Sequence, residues 1–97
     1  MAVVYIAGPI TGVRDYRERF AAEWLRQHRA GNAVLNPAQF PAGLQAHHYM
    51  SMCLPMLMAA DAVVFLPGWE KSGGANIEHA LAEYLHKEII YREADTA

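Results

Sequence analysis

The sequence predicts an α/β fold: a small doubly wound parallel sheet of about four strands and three helices, arranged as a three-layer sandwich. Short apolar runs rich in β-branched residues recur along the chain, and such runs suit strands buried on both faces. Segments with apolar residues at helical spacing separate these runs, which favours parallel strands joined by right-handed crossovers. The chain has 97 residues, 54% of them hydrophobic, so we expect one domain over residues 1–97.

The first half of the chain has the pattern strand, helix, strand. Residues 2–8 form an apolar run that ends at a Gly-Pro pair, which predicts the first strand. Residues 14–32 predict the first helix, because Gly31 stands where a C-terminal cap belongs and apolar side chains recur at helical spacing. Those side chains are Tyr16, Phe20, Trp24 and Leu25. Residues 33–38 predict a second short strand that ends at an Asn-Pro pair.

A loop and a second helix follow. Residues 40–48 contain proline and glycine and are expected to form a loop that carries His47 and His48 at the surface. Residues 49–61 have a helical pattern with Pro55 inside it, where proline either kinks a helix or marks its first turn.

The last third of the chain repeats the alternation. Residues 62–68 predict a third buried strand, residues 74–87 a third helix and residues 88–91 a last strand. The inward face of the third helix is expected to carry its large apolar side chains, namely Ile77, Leu81, Tyr84 and Leu85. Residues 92–97 are expected to be a frayed tail.

Composition limits the possible functions. A formal net charge of −2 gives no field that would attract a nucleic acid polymer or an anionic membrane, so neither is expected as a partner. Cys53 is the single cysteine, which excludes a disulfide framework and a metal site built on several thiolates. The histidines form no metal signature, and neither a metal nor another cofactor is expected. No apolar run is long enough to span a bilayer, and we expect a cytoplasmic protein.

Glycine-rich segments follow the predicted strands and point to a ligand site. In doubly wound sheets, ligands bind at the carboxyl ends of the strands. The segments that reach this edge are Gly8-Pro9-Ile10-Thr11-Gly12, Asn36-Pro37, Pro67-Gly68-Trp69 and, at the start of the third helix, Ser72-Gly73-Gly74. Ser72-Gly73-Gly74 could hold an anion through the free amides at the helix start, or it could be an ordinary helix start capped by serine. The local sequence fits both interpretations equally well.

Glu78 and Tyr5 are candidate chemical groups with ordinary structural alternatives. Glu78 falls in the predicted first turn of the third helix, where the helix dipole by itself explains a carboxylate. At the edge of a pocket the same carboxylate could attack an anomeric carbon. Tyr5 lies in an apolar strand and suits a core position, although its buried hydroxyl needs a partner.

Four segments together carry a resemblance to a known family. "VYIAGPITG", "NPA", "YM" and "DAVVFLPGWEKSGGANIEHALA" resemble the DUF4406 family over nearly the whole chain. That family is similar to the nucleoside 2-deoxyribosyltransferases and the 2′-deoxynucleoside 5′-monophosphate N-glycosidases. The resemblance implies a flavodoxin-like, nucleoside deoxyribosyltransferase-like fold.

The resemblance also implies roles for individual residues. Glu78 falls on the glutamate nucleophile of those enzymes, and Tyr5 falls on a tyrosine beside it. The loops that hold sugar and phosphate correspond to Gly8, Pro9, Ile10, Ser72, Gly73 and Gly74. Trp69 is expected to stack on the base or close over the sugar. Asn36, Pro37, Gly68 and Asn76 complete the expected substrate-binding set.

One position departs from the enzymes. They carry a catalytic aspartate eight positions before the aspartate that opens the third strand, and with Asp61 in that place the position holds Cys53. General acid–base catalysis contributes about 10²–10⁴-fold in rate. A thiol, with a reference pKa of about 8.5, is a weak acid at neutral pH.

Two functions therefore stay open. The first is cleavage or transfer at the N-glycosidic bond of a (deoxy)nucleotide or nucleoside, with Glu78 as nucleophile. The second is binding of a nucleotide or nucleotide-derived signal without cleavage, because Cys53 replaces the aspartate. The resembling enzymes are dimers or larger, so a homodimer or higher oligomer is expected, with Trp24 and the methionine-rich second helix as candidate interfaces.

Overall fold

The computed structural model describes residues 1–94 and contains one parallel sheet with helices on both faces. The strands are β1 (Val3–Ala7), β2 (Ala33–Leu35), β3 (Ala62–Phe65) and β4 (Glu88–Tyr91), and the helices are α1 (Tyr16–Arg29), α2 (Ala46–Ala59) and α3 (Gly73–Tyr84). Two short 3₁₀ helices span Pro37–Gln39 and Trp69–Lys71. The strand order is β2-β1-β3-β4 and every pairing is parallel, which confirms the predicted fold class.

Alternate residues of the central strands build two separate core layers. Tyr5 of β1 faces α2 and α3, where it joins a cluster that includes Cys53 and Leu57. Its neighbour Ile6 faces α1 and packs in a cluster with Phe20. This period of two explains why the central strands read as continuous apolar runs, since both faces of the sheet are covered.

The strand order places a topological switch between β1 and β3. The chain leaves β1 towards β2 on one side and returns across β1 to reach β3 on the other. The two strand ends are joined where the amide of Leu66 donates to the carbonyl of Ala7 at 2.8 Å. A crevice outside the carboxyl ends of such strands is the usual ligand position in this architecture.

Helix α2 begins earlier than predicted. It starts at Ala46, because the backbone amide of Gln45 donates to Nδ1 of His48 at 2.9 Å and so caps the first turn. His47 and His48 therefore both belong to the helix and not to a loop, which corrects that expectation, while both are exposed at the surface as expected. Pro55 lies inside the helix, exposed to solvent, and not in its first turn.

The predicted inward face of α3 is confirmed for Leu81 and Leu85, which pack against the core, and is wrong for Ile77 and Tyr84. Ile77 and Tyr84 are 53% and 80% exposed, whereas the buried residues of this helix are Ala75, Glu78 and Ala82. Small alanine side chains let α3 approach the sheet closely, so the larger apolar residues lie at the flanks or outside. Among residues 1–94, no helix is both long and apolar enough to cross a membrane.

The start of the predicted frayed tail is ordered. The amide of Arg92 donates to the carbonyl of Phe65 at 2.9 Å, and its guanidinium donates to both carboxylate oxygens of buried Glu23 at 2.8 and 3.0 Å. A bidentate, charge-assisted contact explains why the chain stays attached beyond β4. The remainder of the predicted tail, residues 95–97, lies outside the described residues.

Candidate functional site

A cavity of about 330 Å³ opens beyond the carboxyl end of β1. Its walls come from the loop after β1, the first turns of α2 and the start of α3. The lining residues are Tyr5, Gly8, Ile10, Thr11, Pro37, Ala46, Tyr49, Met50, Cys53, Ser72, Gly73, Gly74, Ala75, Ile77 and Glu78. A larger, open groove of about 920 Å³ runs between α1 and the end of β4, but its central groups, Glu23 and Arg92, are paired with each other. The smaller cavity is therefore the better candidate site.

Glu78 lies at the inner end of the cavity as a buried carboxylate. It is 5% exposed and belongs to the second turn of α3, because that helix begins at Gly73. Burial raises the pKa of Glu78 from its ordinary value of 4.5 to about 7, and a hydrogen bond from Tyr5 opposes part of that rise. The raised pKa leaves part of the carboxyl group protonated at neutral pH.

Tyr5 is the hydrogen-bond partner of that carboxylate. Its hydroxyl, fixed by β1 and fully buried, donates to Oε2 of Glu78. Burial, and then the charge of Glu78, raise the pKa of Tyr5 far above its ordinary value, so the phenol keeps its proton and remains a donor. The other carboxylate oxygen of Glu78 is the one left for a ligand in the cavity.

Cys53 completes the cluster from the side of α2. The thiol is buried and lines the same cavity. Burial raises its pKa, hydrogen bonding with Tyr5 lowers it, and the charge of Glu78 raises it. The thiol is therefore protonated at neutral pH. The structure thus brings Tyr5, Cys53 and Glu78 together in the wall of one cavity, and their catalytic role stays a prediction.

The glycine-rich segments have structural reasons of their own. A Cβ atom at Gly8 would come within 2.9 Å of Cβ of Leu66, so the close approach of the two strand ends requires glycine there. Ser72 caps α3, with its hydroxyl accepting from the amide of Ala75 at 3.3 Å. Gly73 and Gly74 follow the cap and line the cavity, where they contribute backbone and no side chain of their own.

Trp69 does not line the cavity. Gly68, with φ of +88°, turns the chain so that the indole stacks on His79, with ring centroids 4.3 Å apart. His79 follows Glu78 on α3, and successive helical residues point in directions about 100° apart. The structure therefore places Trp69 outside the cavity wall, and its expected contact with a base or sugar stays a prediction.

Other expected substrate-binding residues divide between the cavity and its surroundings. Ile10 and Pro37 line the cavity, whereas Pro9 and Gly68 lie against each other outside it. The side chain of Asn36 accepts from the amide of Ala38 at 3.0 Å and caps the first 3₁₀ helix. Asn76 donates to the carbonyls of Glu70 and Ser72 at 2.8 and 2.9 Å, which stabilises the loop before α3.

Several lining residues were missed in the sequence. Tyr49 and Met50 precede Cys53 by four and three positions, so they share its helical face, and this spacing could have identified them. Ala46 and Ala75 also line the cavity and carry no comparable signal, whereas Thr11 lies in the glycine-rich segment expected at this edge and Ile77 was expected next to Glu78. Within residues 1–94, no group of three or more potential metal-binding side chains comes together.

Comparison with known proteins assigns the chain to a family. A search of curated proteins finds no match. The family model described as "Domain of unknown function (DUF4406)" matches residues 2–91. This match includes both core layers, the whole sheet and every residue that lines the cavity. The chain belongs to the DUF4406 family.

Proposed function

We propose that the protein cleaves or transfers at the N-glycosidic bond of a nucleoside or nucleotide, with Glu78 as the nucleophile. The observation that carries the proposal is the buried carboxylate of Glu78, held by the hydroxyl of Tyr5 at the inner end of a small cavity. The similarity of the family to nucleoside 2-deoxyribosyltransferases, proposed from the sequence motifs, gives the reaction class.

In the proposed reaction, a carboxylate oxygen of Glu78 attacks C1′ of the sugar. The bond between C1′ and the base nitrogen breaks, and the base leaves with the electron pair and gains a proton. Water or a second base then attacks C1′ and frees the Glu78 carboxylate, so two displacements retain the configuration at C1′. Burial makes this carboxylate a better nucleophile than one in water, since little solvent has to leave it.

Tyr5 and Cys53 have separate roles in the proposal. Tyr5 orients the carboxylate and keeps part of it ionised at neutral pH. Cys53 carries the other titratable proton close to this pair, but its raised pKa makes the thiol a weak acid for protonating the leaving base. Turnover is therefore expected to be slow compared with enzymes that use a carboxylic acid there.

Base release tests the proposal directly. Purified protein is incubated with deoxynucleosides, ribonucleosides and their 5′-monophosphates, and free base is measured by chromatography. We expect release from at least one compound, and its loss in Glu78→Gln. Glu83→Gln is the matched control, because Glu83 lies on the same helix with its side chain 62% exposed. The proposal fails if no compound yields free base, or if Glu78→Gln releases it as fast as the wild type.

A second candidate function is binding without cleavage, and Cys53 is the observation that favours it. A buried thiol with a raised pKa occupies the place where the resembling enzymes hold an aspartate. In this case calorimetry would detect saturable binding, and chromatography would recover the ligand intact. Because Cys53→Asp restores the carboxylic acid of the resembling enzymes, this variant should release base although the wild type does not. If Cys53→Asp is as inactive as the wild type, the result counts against this function.

We further propose that the protein acts in the cytoplasm as a homodimer or larger oligomer. Apart from its own copies, it would bind only the small nucleoside or nucleotide ligand. Helices α2 and α3 pack side by side and expose the large apolar residues Met58, Ile77 and Tyr84. A small domain gains stability by burying such a surface against a second copy. Ile77 also lines the cavity, so this face is continuous with the candidate site.

A further inference from the structure

We infer that the site takes an uncharged nucleoside in preference to a nucleoside 5′-phosphate; this inference rests on the proposed function and narrows its substrate. The observation that carries it is the charge of the cavity wall. None of the lining residues is a lysine, arginine or histidine, and the titratable ones are Tyr5, Tyr49, Cys53 and Glu78. Every charge that the wall can acquire is therefore negative.

Among residues 1–94, no basic residue lines the cavity, although Arg14, Arg17, His47, His48 and Lys71 stand close to it in sequence. The guanidinium of Arg17 donates to the carbonyls of Ala38 and Phe40 at 3.4 and 3.3 Å and lies over the ring of Tyr16. Arg14 and Lys71 are close in sequence to lining residues, but both are exposed and neither lines the cavity. A phosphate in the cavity would therefore meet no fixed cation.

The start of α3 is the part of the wall that attracts an anion, and it also carries the reacting carboxylate. Glu78 follows Gly74 by four residues, which is an axial rise of about 6 Å. A phosphate dianion at the glycine amides would lie close to Glu78 and disfavour its ionised form, which is the form that attacks. A neutral 5′-hydroxyl can accept hydrogen bonds from the same amides without opposing that charge.

The size and polarity of the cavity agree with this inference. A volume of about 330 Å³ lies near the lower end of the range of roughly 300–1,000 Å³ for ligand pockets, so one nucleoside suits it. Ile10, Met50 and Ile77 make parts of the wall apolar. Apolar walls suit a base and a sugar face, whereas a phosphate would lose its hydration there without a compensating cation.

Matched pairs of each deoxynucleoside and its 5′-monophosphate test the inference. Base release is measured with the wild type, and calorimetric binding is measured with both the wild type and Glu78→Gln. We expect the nucleoside to be preferred by about tenfold or more in kcat/KM and in affinity. An equal or better monophosphate in base release or in binding to the wild type overturns the inference, as does failure of both compounds to bind. Preferred nucleoside binding without any base release supports the inference while the proposed function fails.

A charge introduced at the cavity mouth gives an independent measurement. Ala46 lines the cavity at the start of α2, and Ala59 is exposed at the other end of the same helix. Ala46→Lys should shift the preference towards the monophosphate by about tenfold, and Ala59→Lys should leave it unchanged. If Ala46→Lys has no effect, or both variants shift the preference equally, the charge of the cavity wall does not select the substrate.

Discussion

The burial of Glu78 should make the protein less stable as pH rises, and Glu78→Gln should remove this effect. The pKa of the carboxyl group is about 7 in the folded protein and 4.5 in its ordinary, solvated state. Because the folded-state pKa is raised, the folded protein holds this proton more tightly than the unfolded chain. The resulting stability is fully present below pH 4.5 and is lost as pH rises through 7.

The size of the effect follows from the two pKa values. Their difference of about 2.5 corresponds, at 1.36 kcal/mol for each pH unit, to about 3 kcal/mol in the free energy of unfolding. A neutral glutamine of nearly the same shape can still accept the hydrogen bond from Tyr5 and carries no charge to desolvate. Relative to the wild type, Glu78→Gln should therefore gain about 3 kcal/mol between pH 4.5 and pH 8.

Urea unfolding of both proteins from pH 4 to pH 9 measures this difference. The curves of unfolding free energy against pH should run together below about pH 4.5 and separate above it, with Glu78→Gln the more stable. Glu83→Gln, which changes an exposed carboxylate on the same helix, should run parallel to the wild type. A difference between wild type and Glu78→Gln that does not change with pH would refute the burial of an ionisable Glu78.

Three further predictions concern the surroundings of the site and the rest of the fold. Tyr5→Phe removes a hydrogen bond to the Glu78 carboxylate worth about 1.5–3 kcal/mol, and its loss raises the pKa of Glu78. The acidic limb of the pH profile of base release should therefore move up by about 1–2 pH units, and a limb that does not move contradicts this prediction. Arg92→Ala leaves the Glu23 carboxylate buried without its main partner and should lower the unfolding free energy by about 2–3 kcal/mol. This loss is smaller than for a fully buried pair because Arg92 is partly exposed, and a loss below about 1 kcal/mol in urea titrations would argue against the importance of this ion pair. Tyr84→Lys places a charge on the exposed face of α2 and α3, and light scattering should show that it dissociates the proposed dimer, whereas identical masses for variant and wild type would exclude this face as the interface.

The fold was predictable from the sequence because its strands are simple. Residues of β1 and β3 are apolar at every position, which is the pattern of a strand covered on both faces, and this pattern tolerates errors of a residue or two at the ends. The start of α2 was missed because the capping contact joins Gln45 to a histidine, and histidine is not the usual residue at that position.

Side-chain direction was harder to predict than secondary structure. In α3, apolar size suggested that Ile77 and Tyr84 face inward, but close packing against the sheet admits small residues, so the buried line runs through Ala75 and Ala82. The position of Trp69 depends on the left-handed turn at Gly68 and on stacking with His79, which are features of the tertiary structure. In contrast, Tyr5 was placed correctly beside Glu78, because the resemblance pairs those positions directly.

The two explanations for Glu78 now separate on physical grounds. The helix dipole favours a carboxylate that is exposed in the first turn, whereas Glu78 is buried in the second turn, between the two alanines of the inward face. At that position a small apolar side chain would avoid the desolvation that raises the pKa of the carboxyl group to about 7. The fold thus carries a carboxylate where it reduces stability, beside a phenol that orients it and a cavity that reaches it. Such a cost is typical of a group that acts on a ligand, and it is the reason we propose a chemical role for Glu78.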